Sequence, residues 1–290
     1  MGKVLVLLMG GVLLVSAGCR GPKPVLTPRY SQAPENPDLH SASQPWLVRV
    51  VHVDMELELD FESECLVGSA VYSLQRSDPH EPLILDVASL DQISVHGLDG
   101  EPRGFHLGDT QERLGQALTI QLEESDQAVR VRWKTRPEGE ALQWLGPEQT
   151  ASGLGPFMYS QGQAILTRSW LPIQDTPGNR ISWSARVTAP RDLRVVMSGE
   201  GTGAQEIPGD PSRLVWQHEL SLTVPPYLIA LACGRLERRA ISPRVAVFAE
   251  PATIELAATE LDGTEAMLVA AEKLFGPYRW GRYDVLVLPP

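Results

Sequence analysis

Apolar and polar residues alternate along residues 51–62, which read V-H-V-D-M-E-L-E-L-D-F-E. Every second residue from Val51 to Phe61 is apolar, and most of the residues between them are acidic. A period of two is typical of a β-strand that has one face on a core and the other in water. We therefore predict a half-buried strand, and we interpret its row of carboxylates as the solvated face of a sheet instead of a cation site.

Short apolar runs follow this strand along most of the chain. Clusters of turn-forming residues separate them, for example at residues 97–104 and 199–209. The further predicted strands cover residues 66–75, 83–87, 92–98, 118–122, 128–133, 181–188, 194–198, 214–220, 227–233 and 245–248. Many short strands without a helical pattern predict a mainly β fold, built as an antiparallel sheet or sandwich.

The pattern becomes helical after residue 250. Apolar residues recur at helical spacing in residues 252–261 and 264–275, and Gly276-Pro277 is a stop signal for the second helix. An apolar strand over residues 283–288 follows. Two helices and one strand cannot bury enough apolar surface alone, and a single strand has no sheet to join. This part therefore either packs on the β domain or is the start of a domain that the chain leaves incomplete.

A signal-peptide pattern opens the sequence. One lysine precedes the uncharged residues 4–15, and Ser16-Ala17-Gly18 precedes Cys19. The apolar run is shorter than the roughly 20 residues that span a bilayer, so residues 1–19 are predicted as a leader for export. The small residues before Cys19 resemble the lipoprotein box of bacteria, in which the cysteine becomes lipidated. Export with an unmodified Cys19 is the alternative.

A proline-rich segment follows the leader. Residues 20–45 contain six prolines and no apolar periodicity, which is typical of an extended tether. A lipid on Cys19 and such a tether would hold a folded domain near a membrane. The expected location is therefore the bacterial envelope, at the outer membrane or in the periplasm, with the membrane as a partner through the lipid anchor.

The charge and the cysteine and histidine counts exclude several function classes. Lys and Arg number 25 against 36 Asp and Glu, which gives a net charge of −11 and makes nucleic acid an unexpected partner. Cys65 and Cys233 are either a disulfide or two buried thiols, and three cysteines in all exclude a disulfide-rich scaffold. The six histidines are dispersed singly, without the short spacing of a helical or finger-type metal site.

Three segments carry a family resemblance. Residues 157–177 read F-M-Y-S-Q-G-Q-A-I-L-T-R-S-W-L-P-I-Q-D-T-P, residues 224–241 read V-P-P-Y-L-I-A-L-A-C-G-R-L-E-R-R-A-I, and residues 275–290 read F-G-P-Y-R-W-G-R-Y-D-V-L-V-L-P-P. They resemble, in order and spacing, the zinc aminopeptidases related to leukotriene A4 hydrolase, aminopeptidase B and aminopeptidase N. The resemblance implies a saddle-shaped, mainly antiparallel β domain at residues 46–246. It also implies that residues 247–290 are the incomplete start of a thermolysin-like catalytic domain.

The resemblance implies a binding role for two glutamines. In the family, a loop of the β domain lines the substrate cleft and supplies a Gln or Glu that binds the free α-amino group of a peptide. Gln163 matches that position, and Gln161 matches its neighbour on the cleft wall. An amide oxygen can accept a hydrogen bond from an ammonium, and residues i and i+2 of an extended segment point to one side. Asp175 is interpreted as structural, because an Asp shortly before Pro177 can fix a turn.

The motifs that carry the family's zinc chemistry do not occur in the sequence. The family's G-x-M-E-N motif binds the peptide amino terminus and H-E-x-x-H holds zinc, and neither is found in these residues. We therefore predict no catalytic residue, no metal ligand and no cofactor in this chain, although zinc is the cofactor of the complete family. Whether the chain is an enzyme stays open, and alone we expect it to be inactive.

The function that these patterns favour is the amino-terminal, cleft-lining portion of an exported zinc metalloaminopeptidase, whose partners are peptide amino termini. The abrupt stop after Pro290, within a half-built domain, favours a chain cut short. Two alternatives remain. One is a lipid-anchored β module that binds peptides or a partner protein without catalysis, and the other is one half of a split aminopeptidase.

Overall fold

The computed structural model describes residues 33, 35 and 37–290, so the predicted leader, Cys19 and most of the tether lie outside the described residues. The described residues form seventeen strands and two α-helices. The strands are β1 (Val48–Asp60), β2 (Cys65–Arg76), β3 (Leu83–Val87), β4 (Leu90–Gly97), β5 (Phe105–Leu107), β6 (Gln116–Ile120), β7 (Ala128–Thr135), β8 (Leu142–Leu145), β9 (Phe157–Ser160), β10 (Ile181–Pro190), β11 (Arg194–Met197), β12 (Glu200–Ile207), β13 (Asp210–Val224), β14 (Leu231–Gly234), β15 (Glu237–Ala240), β16 (Val245–Ala249) and β17 (Tyr283–Leu286). The helices are α1 (Ile254–Glu260) and α2 (Thr264–Phe275).

The largest sheet has seven strands in the order β12-β13-β10-β1-β2-β7-β4. Strand β1 shows why this sheet forms: its residues Val53, Met55 and Leu57 are buried on one face, while Glu56 and Glu58 are exposed on the other. The predicted alternation and the solvated carboxylate face are therefore confirmed. Neighbouring strands are antiparallel except β1 and β10, which run parallel.

One continuous core joins this sheet to two smaller ones, β11-β14-β9-β8 and β3-β6-β5. Trp133 and Trp170 lie in it, and Trp133 Nε1 donates a hydrogen bond of 2.8 Å to the Trp170 carbonyl. The Tyr72 hydroxyl donates to the Pro172 carbonyl at 2.7 Å, so Trp133 and Tyr72 are buried with their polar atoms paired, whereas Trp170 Nε1 is buried without a partner among the described residues. The predicted mainly β class is confirmed.

The end of the described chain forms a small α/β unit. Strand β17 pairs in parallel with β16 in the sheet β15-β16-β17, so the expectation that this strand has no sheet to join is wrong. The predicted boundary between residues 246 and 247 falls inside β16 (Val245–Ala249). Helix α1 packs on that strand through Ile254, whereas α2 buries only Thr264. Both predicted helices are confirmed, and α2 has the predicted bounds.

Five strands are missing from the sequence prediction, namely β5, β8, β9, β12 and β15. Residues 199–209 were predicted as a turn cluster, which is wrong because Glu200–Ile207 forms β12 against β13. Its residues are mostly exposed and Gly-rich, so no apolar alternation marks it. Within the predicted strand at 227–233 only the end is extended, since Pro226–Leu228 is a 3-10 helix.

Two further sequence predictions concern single segments. Cys65 and Cys233 are buried free thiols, which decides between the two alternatives for them. Residues 41–43 of the predicted tether are bound to the β domain, because Ser41 and Ala42 donate hydrogen bonds to Asp86. Among the residues that the structure describes, no helix is long and apolar enough to cross a membrane.

Candidate functional site

Gln161 and Gln163 lie in the loop that follows β9. This strand is paired on both sides, with β8 and with β14, and so places the loop at the end of a central strand. The backbone amide of Gln161 donates to the Ala141 carbonyl at 2.8 Å, and the backbone amide of Leu231 donates to Ser160 Oγ at 2.9 Å. The loop therefore leaves the sheet from a point that is fixed on both sides.

The loop turns instead of staying extended. Residues 163–166 form turns, and the Gln163 backbone amide donates to Gln161 Oε1 at 3.0 Å. The Leu166 backbone amide donates to the Gly162 carbonyl at 2.9 Å. The two glutamines are therefore not the equivalent pair expected on an extended segment. Gln161 holds the loop's own backbone, whereas the exposed amide of Gln163 makes no hydrogen bond to another described residue.

A cavity of about 680 Å³ lies beside this loop. Gln161 is part of its wall, and Gln163 is not. The facing wall is aromatic: the ring centroids of Tyr278 and Trp280 are 5.6 Å apart, and those of Tyr278 and Tyr283 are 5.8 Å apart. The structure thus places the first glutamine on the cavity and the second at the loop's exposed turn.

Charged groups also line the cavity. Arg282 donates to both carboxylate oxygens of Asp284 at 2.7 and 3.0 Å, and these bonds, together with the charge of Glu200, raise the pKa of Arg282. Two carboxylates and one guanidinium leave this part of the wall with a negative balance. Apolar and aromatic surface beside carboxylate and amide oxygens can receive a cationic group that carries an apolar side chain.

A buried ion cluster, which the sequence analysis missed, lies five residues after Gln163. Arg168 Nε is 3.2 Å from Asp175 Oδ2, and Arg168 Nη2 is 3.8 Å from Asp86 Oδ2. All three residues are about 1% exposed. Burial raises the pKa of Asp175 to about 6 and also raises the pKa of Asp86, and the charge of Arg168 opposes both shifts. Two carboxylates therefore share one guanidinium.

The cluster corrects the interpretation of Asp175. Its carboxylate accepts hydrogen bonds from the Arg168 backbone amide at 3.1 Å and from Arg168 Nε, and its own amide donates to Asp86 Oδ2 at 2.9 Å. Asp175 is structural, as predicted, but it acts through Arg168 and not through a turn at Pro177. The signal that could have revealed the cluster is Asp86, a carboxylate inside the apolar run of β3.

The described residues do not fit a zinc centre. Within residues 37–290, no three His, Cys, Asp or Glu side chains come close enough together to hold a metal ion. A zinc aminopeptidase centre needs three protein ligands and an open position for water. The described residues therefore form a cavity and a buried ion cluster, without a set of metal ligands among them.

Comparisons with known proteins identify relatives over most of this chain. A family model described as the peptidase M1 N-terminal domain matches residues 50–228. Leukotriene A-4 hydrolase of Xenopus laevis is 36% identical over 263 residues, which span 87% of this chain and 42% of that protein. Aminopeptidase B of Mus musculus is 35% identical over an alignment of 295 positions, gaps included, which covers 90% of this chain and 44% of that protein. The chain thus spans less than half the length of these relatives.

The fold agrees with a solved structure from the same group. Yeast leukotriene A4 hydrolase in complex with bestatin matches with a TM-score of 0.79 and 32% sequence identity. The match covers 89% of this chain and 40% of that protein. The similarity therefore extends over the β domain and into the α/β unit that follows it.

Proposed function

This chain belongs to the peptidase M1 family through its amino-terminal domain, and we propose that it forms the substrate-binding, amino-terminal part of an exported zinc aminopeptidase. The observation that carries the proposal is the loop with Gln161 and Gln163, which leaves a fixed central strand beside a large cavity. The named relatives, a leukotriene A-4 hydrolase and an aminopeptidase B, support hydrolysis of peptide amino termini as the activity of the complete protein.

The loop geometry suggests different tasks for the two glutamines. The Gln163 amide oxygen is free to accept a hydrogen bond from the α-ammonium of a peptide. Gln161 accepts the Gln163 backbone N–H and so fixes the turn from which that amide projects. The carboxylates of Glu200 and Asp284 in the adjacent cavity add negative charge, which favours a cationic group nearby.

The surface of the α/β unit supports a further protein part that completes the site. Leu256 of α1 is 74% exposed, and Leu274 and Phe275 of α2 are 77% and 87% exposed. Exposed apolar patches of this kind mark surfaces that another protein part covers. We place the zinc, which would activate a water for peptide hydrolysis, in that covering part.

A split enzyme is a second candidate, and the same surface favours it. A separately encoded catalytic polypeptide could cover α1 and α2 in trans as well as a continuous chain could in cis. Co-expression of the two polypeptides tests this candidate. Aminopeptidase activity that appears only with both polypeptides supports it, whereas binding of peptides without any hydrolysis would favour the non-catalytic β module instead.

Export and lipid anchoring belong to the proposal. The apolar residues 4–15 and the small residues before Cys19 support a lipoprotein leader. Expression in a bacterial host fed labelled palmitate tests it. We expect label and membrane fractionation for the wild type and neither for Cys19→Ser, while label retained in Cys19→Ser would contradict this modification site.

The substrate role of Gln163 has a direct kinetic test in the complete, hydrolysing enzyme. Loss of a hydrogen bond to a charged group costs roughly 1.5–3 kcal/mol, so Gln163→Ala should raise KM for unblocked peptides by at least about tenfold. Gln163→Glu should keep the binding, since a carboxylate also accepts from an ammonium. The matched control is Gln143→Ala, which removes an exposed amide from neighbouring β8. Equal KM values for Gln163→Ala and the control would contradict the proposal.

A further inference from the structure

A short segment near the start of the described chain crosses the buried ion cluster. We name residues 40–43 the strap. Ser41 Oγ donates to Asp86 Oδ2 at 2.5 Å, and the Ala42 amide donates to Asp86 Oδ1 at 2.8 Å. Arg168 Nη2 donates to the His40 carbonyl at 2.8 Å, and Ser43 is buried. The strap is thus bound to two of the three charged groups of the cluster, Asp86 and Arg168.

Arg168 connects the strap to three other segments. Its Nη1 donates to the Leu114 carbonyl at 2.7 Å, and its Nη2 also donates to the Asp175 carbonyl at 3.0 Å. Its backbone carbonyl accepts from the Ala88 amide at 2.9 Å. A planar guanidinium can serve several acceptors in fixed directions, whereas a lysine ammonium cannot reproduce this set. Arg168 is therefore held through both its side chain and its backbone.

A series of hydrogen bonds leads from Ser169, the residue next to Arg168 in the chain, to the glutamine loop. Arg168 lies in the 3-10 helix Thr167–Ser169, and the Ser169 amide and hydroxyl both donate to the Leu166 carbonyl, at 2.9 and 2.8 Å. The Leu166 amide donates to the Gly162 carbonyl. The Ala141 amide donates to Ser169 Oγ at 2.9 Å, and the Ala141 carbonyl accepts from Gln161. The loop thus has both of its ends tied to the helix that carries Arg168.

We propose that the strap, Asp86 and Arg168 are positioning residues that hold the loop of residues 161–166 in its binding conformation. None of them touches the cavity beside the loop. The assignment of a substrate role to the loop rests on the proposed function, but the coupling of strap and loop does not. The last residues of the predicted tether thereby contribute to the order of the substrate-binding loop.

Amide hydrogen exchange of the full chain tests the coupling without any activity. Ser41→Ala removes one bond to Asp86, and Asp86→Asn removes its charge. Both should make the protected amides of Gln161 and Leu166 exchange about tenfold faster, because local opening becomes easier. The matched control is Ser184→Ala, which removes a serine–carboxylate bond of the same 2.5 Å length on the outer face of the large sheet.

Unchanged hydrogen exchange at the backbone amides of Gln161 and Leu166 in Ser41→Ala would overturn the proposal. Ser41→Ala alone is a sufficient test if Asp86→Asn does not fold. In the hydrolysing enzyme, Arg168→Lys should raise KM about tenfold and leave kcat within about twofold, as expected for lost positioning before the chemical step. If Gln163→Ala leaves KM unchanged while exchange still responds to Ser41→Ala, the proposed function fails and the coupling stands. The reverse pattern overturns the coupling alone.

Discussion

The β domain and the α/β unit differ in how far their apolar side chains are buried. In the β domain, Val50, Ile120 and Trp183 have no exposed surface. In the α/β unit, Leu274 and Phe275 at the end of α2 are 77% and 87% exposed. Both regions show ordinary apolar periodicity in the sequence. Periodicity therefore predicts which face of an element is apolar, but it does not show what covers that face.

This difference in burial indicates different roles for the two regions. The β domain encloses its own core and carries the ion cluster and the glutamine loop, so it can present a rigid binding surface. The α/β unit adds one wall to the cavity through Tyr278 and Trp280, and it leaves its helices open. This division agrees with a chain that spans about 42–44% of the length of its named relatives.

The largest expected effect is in the core of the β domain. Trp183→Ala should lower the free energy of unfolding by about 3–5 kcal/mol, because it removes a large side chain that is fully buried. Urea unfolding followed by circular dichroism measures it. A loss below about 1 kcal/mol would contradict the picture of a closed, self-sufficient core.

The ion cluster should give a smaller effect that depends on pH. The folded-state pKa of Asp175 is raised to about 6 from an ordinary value of 3.8, so the folded protein binds this proton more tightly than the unfolded chain. Its contribution to stability is therefore fully present below about pH 4 and is lost as pH rises through about 6. Relative to Asp175→Asn, the wild type should lose on the order of 1–3 kcal/mol between these limits.

Urea unfolding of both proteins at several pH values checks this sign. The comparison uses the difference between the two pH profiles, since Asp175→Asn also alters the hydrogen bonds to Arg168 at every pH. Parallel profiles would show that folding does not shift the pKa of Asp175, which would contradict the prediction. A wild type that gains stability relative to the variant as pH rises would mean that Arg168 outweighs burial.

The smallest expected change in stability is on the open helix. Leu274→Ser and Phe275→Ser should each change the free energy of unfolding by less than about 0.5 kcal/mol, as substitutions at exposed positions usually do. They should nevertheless reduce the binding of a hydrophobic dye by the full chain. A loss of stability of more than about 1 kcal/mol would show that this face is covered, and would remove the contrast between the regions.

Local patterns predicted the elements that carry a clear period. The alternation in β1 and the helical spacing of α2 were sufficient, and the bounds of α2 agree with the prediction. Strand β12 was missed because its residues are exposed and include Gly201 and Gly203, so that neither face shows an apolar row. The parallel pairing of β1 with β10 joins residues about 130 positions apart, as His52 and Ser182 show, and no local pattern indicates it.

The candidate site was predictable in part. The resemblance identified Gln161 and Gln163, whose substrate role stays a prediction, while the turn that makes the first support the second depends on the folded backbone. The partners of Arg168 come from His40, Asp86 and Asp175, two of them far away along the chain, so only the fold brings the cluster together. The unusual Asp86 within a buried strand was its one local sign.

The proposed function assigns substrate binding, and not the metal chemistry of the family, to the described residues. Its most direct test is to equilibrate the purified 290-residue chain with zinc, remove the excess, and measure bound zinc and hydrolysis of aminoacyl aminomethylcoumarin together. We predict far less than about one zinc per chain and no zinc-dependent hydrolysis. About one zinc per chain, with hydrolysis that Gln163→Ala abolishes, would contradict this assignment.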